Sequence, residues 1–438
     1  MSTAFRAPSP RLFDLTLPDL PLEAGARVAP HLVRGWWWGP EEDLPWLQSR
    51  AQVLSEEAAR EATFRVVRRT AAEQRPVVEP LRRPSPPRAP APVPTVLVVH
   101  ALTGDMRAGG EGGWWEPVIG PGRALDPTRM RLLCFNNLGS CYGTSGPADE
   151  GFPRRVDDSR FGPAAPLEKG DLQVDERLLP ATLTPWDQAR SILFALDALG
   201  VDQVALVTGG SLGGMIVLCL AALDPERFAR MAPIATAECA SAWVVGWNHV
   251  ARQVLLLDPD YPESPRRGLE VARQLATLTY RAETGLDAKQ PRPQAWSSRA
   301  LYPVQSYLEH QGAKLEARFD GRSYLALLGA MDHHDLSRVP EARGGPGIGR
   351  ILASTLSIGI DRDQLFFPEH MVALARRLRS AGRHAEHAVL SSQHGHDGFL
   401  LEWGPLSALL TRALALPPGV PGRETRASAL PGAVARRT

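Results

Sequence analysis

Serine is a poor nucleophile at neutral pH, so a chain that uses one must also supply a base, a carboxylate to orient that base, and donors for the oxyanion. The run Gly209-Gly210-Ser211-Leu212-Gly213 has the surroundings such a serine needs. At the tip of a sharp strand-to-helix turn the backbone is strained, and the chain passes close to itself only where neighbours lack side chains. Gly209 and Gly213 provide that room. A β-branched run precedes the turn and an apolar helical segment follows it. In that setting the Ser211 hydroxyl is exposed, the N-terminus of the following helix faces the developing negative charge, and Leu212 N–H is one oxyanion donor. The second donor is expected from the loop after an early strand, His100-Ala101-Leu102-Thr103-Gly104, where Leu102 is the assigned residue. The same stretch also reads as an ordinary strand-to-helix turn with His100 packed inside.

In such an arrangement the acid and then the histidine follow the serine along the chain. Two pairs compete. Asp361 and Asp363 lie in the turn after one apolar strand, and His394 and His396 lie in Ser391-Ser392-Gln393-His394-Gly395-His396-Asp397-Gly398-Phe399 after the last. Both strand ends face the sheet edge that holds the serine, and spacing alone leaves either member of each pair open. A second cluster, Asp332-His333-His334-Asp335, could suggest a metal. Adjacent histidines point apart on a helix, however, so a structural role is expected and no metal is assigned.

The elements that must position these groups follow from short apolar runs. Residues 95–100 read as a fully buried strand, and 131–135, 203–208, 231–235, 352–360 and 387–390 repeat the pattern with helix-like stretches between several of them. That alternation predicts a mainly parallel sheet with helices on both faces. One helix is marked sharply: Thr184 as N-cap, Pro185 at the first position, an apolar stripe of Ala189, Ile192, Leu193, Leu196 and Leu199, and Gly200 as the stop. Residues 240–343 turn helical and aromatic without a clear strand, as a cap over the sheet would. Residues 77–94 are so rich in proline that an extended linker is expected, and 41–75 read as one or two exposed helices. The organisation is therefore 1–36 and 95–240 as core, 37–94 as a helical insertion with its linker, 241–345 as a helical cap, 346–416 as core carrying acid and histidine, and 417–438 as a disordered tail.

Composition removes other classes. With 49 Lys and Arg against 48 Asp and Glu, a net charge of +1 spread along the chain lacks the attraction that nucleic-acid binding needs. No run approaches the ~20 apolar residues of a membrane span and the start lacks a signal-peptide core, so a cytoplasmic protein is expected. The four cysteines have neither paired CxxC spacing nor disulfide density.

With these residues in view, the chain resembles the homoserine O-acetyltransferase family from about Phe13 to Leu410. The likeness is carried by His100 to Asp105, Gly113-Trp114-Trp115, Asn136-Asn137-Leu138-Gly139, Gly209 to Met215, Thr279-Tyr280-Arg281, Arg318-Phe319-Asp320 and Gly395-His396-Asp397-Gly398. The resemblance implies an α/β-hydrolase fold with a helical cap and a homodimer. No bound cofactor is expected, and acyl-CoA serves as co-substrate. It selects Asp363, which precedes a Leu-Phe-Pro-like stretch, and His396, which directly precedes Asp. It also implies that Arg281 and Asp397 contact an amino-acid substrate, where a guanidinium suits a carboxylate and a carboxylate suits an ammonium. The chain departs from the family pattern in the insertion 37–94, in Met106-Arg107-Ala108-Gly109 after the oxyanion loop, in Leu212 after the serine, and in an extra Phe between Leu365 and Pro368.

Overall fold

Short runs buried along their whole length must lie inside a sheet covered on both sides, and Thr95–Val99, Arg131–Phe135, Leu206–Gly210 and Ser354–Ile360 are buried at every position. The computed structural model describes residues 9–62, 65–70, 93–155, 179–292, 302–339 and 347–419. In chain order the elements are β1 (Arg11–Leu17), β2 (Leu20–Pro21), β3 (Arg27–Val28), β4 (His31–Trp38), α1 (Leu44–Gln48), β5 (Gln52–Val53), α2 (Glu56–Glu61), β6 (Thr95–Val99) and β7 (Arg131–Phe135). They continue with α3 (Pro185–Leu199), β8 (Leu206–Gly210), α4 (Leu212–Leu223), β9 (Arg230–Ile234), α5 (Ala242–Leu256), α6 (Arg266–Tyr280), α7 (Glu283–Lys289), α8 (Pro303–Glu316) and α9 (Gly321–Asp332). The last are α10 (Gly347–Arg350), β10 (Ser354–Ile360), α11 (Pro368–Ser380), β11 (Ala385–Leu390), α12 (Gly398–Leu401) and α13 (Trp403–Ala415).

The main sheet runs β11-β10-β9-β8-β6-β7-β4-β1-β5. Strands from β7 to β11 are parallel, and β4, β1 and β5 extend the sheet antiparallel. From β6 the chain goes to β7 on one side and then returns to β8 on the other. The loops leaving β6 and β8 therefore diverge, which opens a crevice at the carboxyl ends of the strands. Leu102 follows one of these strands and Ser211 the other. Helix α3 begins as its sequence dictates, with a reciprocal cap in which Thr184 Oγ1 accepts from Asp187 N–H and the Asp187 carboxylate accepts from Thr184 N–H. Gly200 ends it in the left-handed region at φ 69°. Between Ser241 and Val339 the described residues contain five helices and no strand.

The differences from the sequence-based expectations have local causes. Strand β8 runs to Gly210 rather than Thr208, because Gly209 and Gly210 pair with Pro233 and Ile234 of β9 through backbone alone. The region expected as exposed helices is partly core: Trp46 and Leu47 of α1 are buried, Arg131 stacks over the Trp46 ring, and β5 pairs with β1. Strand β4 continues through Trp38, past the boundary at residue 36. The proline-rich linker lies outside the described residues apart from 93–94. So does the tail beyond Gly419, whose N–H donates to Ala229 O at 2.8 Å. Among the described residues no helix is long and apolar enough to cross a membrane.

Candidate active site

Ser211 stands between β8 and α4 with φ 58° and ψ −125°, a conformation that costs an L-residue on the order of 1–3 kcal/mol. The surroundings hold it there. Ser211 N–H donates to Ile234 O at 3.0 Å, and a Cβ on Gly213 would stand 2.3 Å from Val99 O and 2.9 Å from His100 O, so the turn is pressed against the end of β6. Leu212 N–H is among the first donors of α4 and has no acceptor inside the helix. Leu102 N–H likewise donates to no protein group among the described residues. His100 is packed, as the plainer reading of its loop allows. Its Nε2 accepts from Asn137 N–H at 2.9 Å, its Nδ1 lies 2.8 Å from Ala101 O, and burial pushes its pKa down, so a neutral imidazole braces the loop.

Geometry separates the paired candidates. His396 Nδ1 lies 2.6 Å from Asp363 Oδ2, and both residues are buried. The other carboxylate oxygen, Asp363 Oδ1, accepts from Leu365 and Phe366 N–H at 2.8 and 2.9 Å, which fixes the acid in place. Asp361 instead accepts from Ser391 Oγ and Ser392 N–H, so it ties the end of β10 to that of β11. His394 lies 4.0 Å from Glu402 and is not drawn toward the crevice acid. The His396 ring is enclosed by Tyr280, Phe366 and Phe399 at 5.5–5.7 Å between centroids. Phe399 lies against Gly210, where a Cβ would come within 2.6 Å of its ring, and Trp115 Nε1 donates to Phe399 O at 2.8 Å. That ring connects the base to the residue beside Ser211. Among the described residues the Ser211 hydroxyl makes no hydrogen bond of its own; contacts of this kind tighten when substrate closes the site. Burial lowers the His396 pKa, but the Asp363 charge, its hydrogen bond and the Asp397 charge outweigh it, and the net shift is upward from 6.5.

Arg281 closes α6 and meets Asp397 at 3.3 Å, so the two residues expected to read an amino acid stand side by side next to His396. The contact is made by the buried Arg281 Nε with Asp397 Oδ2 and is an ion pair without hydrogen-bond alignment. A cavity of about 410 Å³ has Arg281, Tyr302, Val304 and Gln364 on its walls, and neither Ser211 nor His396 lines it. The Asp332 to Asp335 cluster disperses: His334 faces Ala237 O at 2.9 Å, His333 faces Gly329 O, and Asp332 accepts from Asn248. Sequence reasoning assigned no role to Arg318, whose Nη1 donates to Thr103 O at 2.9 Å, or to the aromatic rings around His396. The motif containing Arg318 was visible, but a partner 215 residues away was not.

A glycine-flanked serine in a strained turn, two N–H groups without a protein acceptor among the described residues, and a buried acid–histidine pair thus stand at the carboxyl ends of the parallel strands. Residues 94–402 match the family described by the alpha/beta hydrolase fold, which is the class this sheet and site define. A homoserine O-acetyltransferase of Moorella thermoacetica is 37% identical over 337 residues, covering 72% of this chain and 84% of the relative. A homoserine O-succinyltransferase of Laribacter hongkongensis is 31% identical over 335 residues, covering 72% and 83%. The solved homoserine O-acetyltransferase of Bacillus anthracis superposes with a TM-score of 0.68 at 18% identity over 94% of this chain and 99% of that one, a likeness of fold. The chain belongs to the homoserine O-acetyltransferase family and is an enzyme of that type.

Proposed function

We propose that the enzyme moves an acetyl group from acetyl-CoA to the hydroxyl of L-homoserine through an acyl-serine on Ser211. The buried Asp363–His396 pair at the edge that carries the strained serine is the observation that supports this most strongly. His396 Nε2 takes the Ser211 proton as Oγ attacks the thioester carbonyl, and Leu102 and Leu212 N–H hold the oxyanion. Collapse breaks the C–S bond, and the imidazolium proton goes to the departing thiolate. His396 then removes the proton of the acceptor hydroxyl, the second tetrahedral intermediate forms in the same cradle, and its collapse returns the acyl group on the new oxygen and the proton to Ser211. No metal takes part in this scheme, and the partners are small molecules. The acetyl donor is favoured by the name of the 37% identical relative and the succinyl alternative by that of the 31% identical one. A cytoplasmic homodimer belongs to the same reading.

Acceptor choice rests on Arg281 and Asp397, which in this reading turn from each other to the carboxylate and ammonium of the amino acid. The acyl donor offers them no such zwitterion. Arg281→Ala should therefore leave formation of the acyl-serine nearly unchanged and slow its discharge to homoserine by about one to two decades, the roughly 1.5–3 kcal/mol of one charge-assisted contact. Single-turnover measurement of the two half-reactions checks this. Equal loss in both would remove the acceptor site from the account, and a parent enzyme indifferent to any amino acid would point to a hydrolase.

A further inference from the structure

Residues 65–70 belong to the insertion that sets this chain apart from the family pattern, and their contacts fall on Cys141, Gly143, Asp149, Glu150 and Asp320. Val67 N–H donates to Cys141 O at 2.9 Å, and the Arg69 guanidinium donates to Gly143 O, so the backbone is clamped on both sides of Tyr142. Arg69 is itself anchored. Its side chain pairs with Asp149 at 3.3 Å where both are largely buried, its N–H reaches Asp149 Oδ1 at 3.2 Å, and its carbonyl accepts from Glu150 N–H at 3.0 Å. Arg68 reaches Asp320 Oδ2 at 3.2 Å, the carboxylate that caps α9 by accepting from Arg322 and Ser323 N–H.

Tyr142 and Asp320 flank one residue, Arg318. Tyr142 Oη donates to Arg318 O at 2.8 Å and accepts from Arg318 Nη1 at 2.6 Å, and the Tyr142 ring packs edge-on against Phe319. The same Nη1 donates to Thr103 O at 2.9 Å, next to Leu102. The far half of the loop is braced separately, since the Asp105 carboxylate accepts from Arg107 N–H at 2.7 Å and from its guanidinium at 2.9 Å, and Asp105 O accepts from Trp114 Nε1 at 2.9 Å. Thr103 is thus where the near half is tied to the cap.

We propose that residues 65–70 are a positioning strap for the oxyanion loop, acting through Tyr142 and Arg318 on Thr103 and so on Leu102 N–H. The proposal rests on Leu102 being an oxyanion donor. A loop N–H stabilises a tetrahedral oxyanion only if it is already aimed within a few tenths of an ångström, and a loop free to relax would spend the gain on ordering itself. In a chain whose loop departs from the family pattern after Asp105, the strap supplies an anchor from outside the loop. Arg318, Tyr142 and Arg69 are positioning residues, since none of them touches the reacting atoms.

The test uses the full chain and two probes that need neither CoA nor an amino acid: the acylation burst with 4-nitrophenyl acetate, and inhibition by phenylboronic acid, whose tetrahedral adduct places an oxygen where the oxyanion sits. Loss of a whole donor costs about 10²–10³ in rate, so a donor left in place but loosened should cost about tenfold. Arg69→Ala and Arg318→Met should each slow the burst and weaken boronate binding by that common factor, with the KM for the ester nearly unchanged. Arg69→Lys should recover part of the loss. The double variant should be no worse than Arg318→Met alone, because both act along one route. Should Arg69→Ala fail to fold, Tyr142→Phe removes a single oxygen from the same route and is expected to shift both readouts together in the same direction. A lowered melting temperature with unchanged burst rate and boronate affinity, or fully additive losses, would overturn the proposal and leave the strap as a staple. A parent chain inert to both probes would instead overturn the nucleophile reading beneath it.

Discussion

Ser211→Ala should abolish covalent acylation and lower turnover by several orders of magnitude, because nucleophile, base and acid act as a unit and the oxyanion donors and binding alone sustain only a small residual rate. The substitution removes one buried hydroxyl that makes no hydrogen bond among the described residues, so the fold loses little. The strained φ of 58° remains, held by Ser211 N–H on Ile234 O and by the close passage of Gly213 past β6. Intact-protein mass spectrometry after mixing with acyl-CoA is the check. An acyl adduct of undiminished rate and stoichiometry in the variant would move the nucleophile elsewhere.

His396→Ala should cost nearly as much as loss of the serine, and Asp363→Asn somewhat less, whereas His394→Ala and Asp361→Asn should leave the acylation step within about tenfold of the parent. The asymmetry follows from the contacts. Asp363 holds one ring nitrogen of His396 and two backbone N–H groups, while Asp361 is occupied by Ser391 and Ser392. The same pair carries a pH prediction. As the proposed neutral base, His396 has a pKa raised above 6.5 in the folded chain, so acylation should fall as the pH drops through that raised value. In Asp363→Asn the raising charge is gone, and the acid limb of the residual activity should move to lower pH. The pair also contributes stability that is fully present below pH 6.5 and is lost as pH rises through the folded pKa. Single-turnover rates for the four variants across pH decide the matter. The reverse ranking, or a limb that does not move, would show that the wrong members were chosen.

Several of these features were legible in the sequence because the physics is local. The glycines around Ser211, the Thr184 cap with Pro185 and Gly200, and the β-branched run before the turn each encode their own geometry within a few residues. Gly209 and Gly210 mislead at the end of β8, because residues that suit a turn can equally complete a ladder with backbone groups alone. Spacing did not separate Asp361 from Asp363, and only the family resemblance selected the latter, since the partners that distinguish them, Ser391 and Ser392 for one and His396 for the other, lie 30 to 33 residues along the chain. Trp46 was hidden for a similar reason. A short segment rich in charge gives no sign that Arg131, far along the chain, will cover its one large ring. The route from residues 65–70 through Tyr142 and Arg318 to Thr103 is wholly long-range, and no periodicity or spacing carries it.

The most direct test is a pulse and chase on the unaltered enzyme: acetyl-CoA alone first, then L-homoserine, with intact-protein mass spectrometry for the adduct and separation of O-acetylhomoserine from acetate. The account predicts one acetyl group on Ser211 that persists without acceptor and passes to homoserine faster than to water. Release of acetate at a rate that homoserine does not change, or transfer to homoserine through a complex that never acylates Ser211, would contradict it.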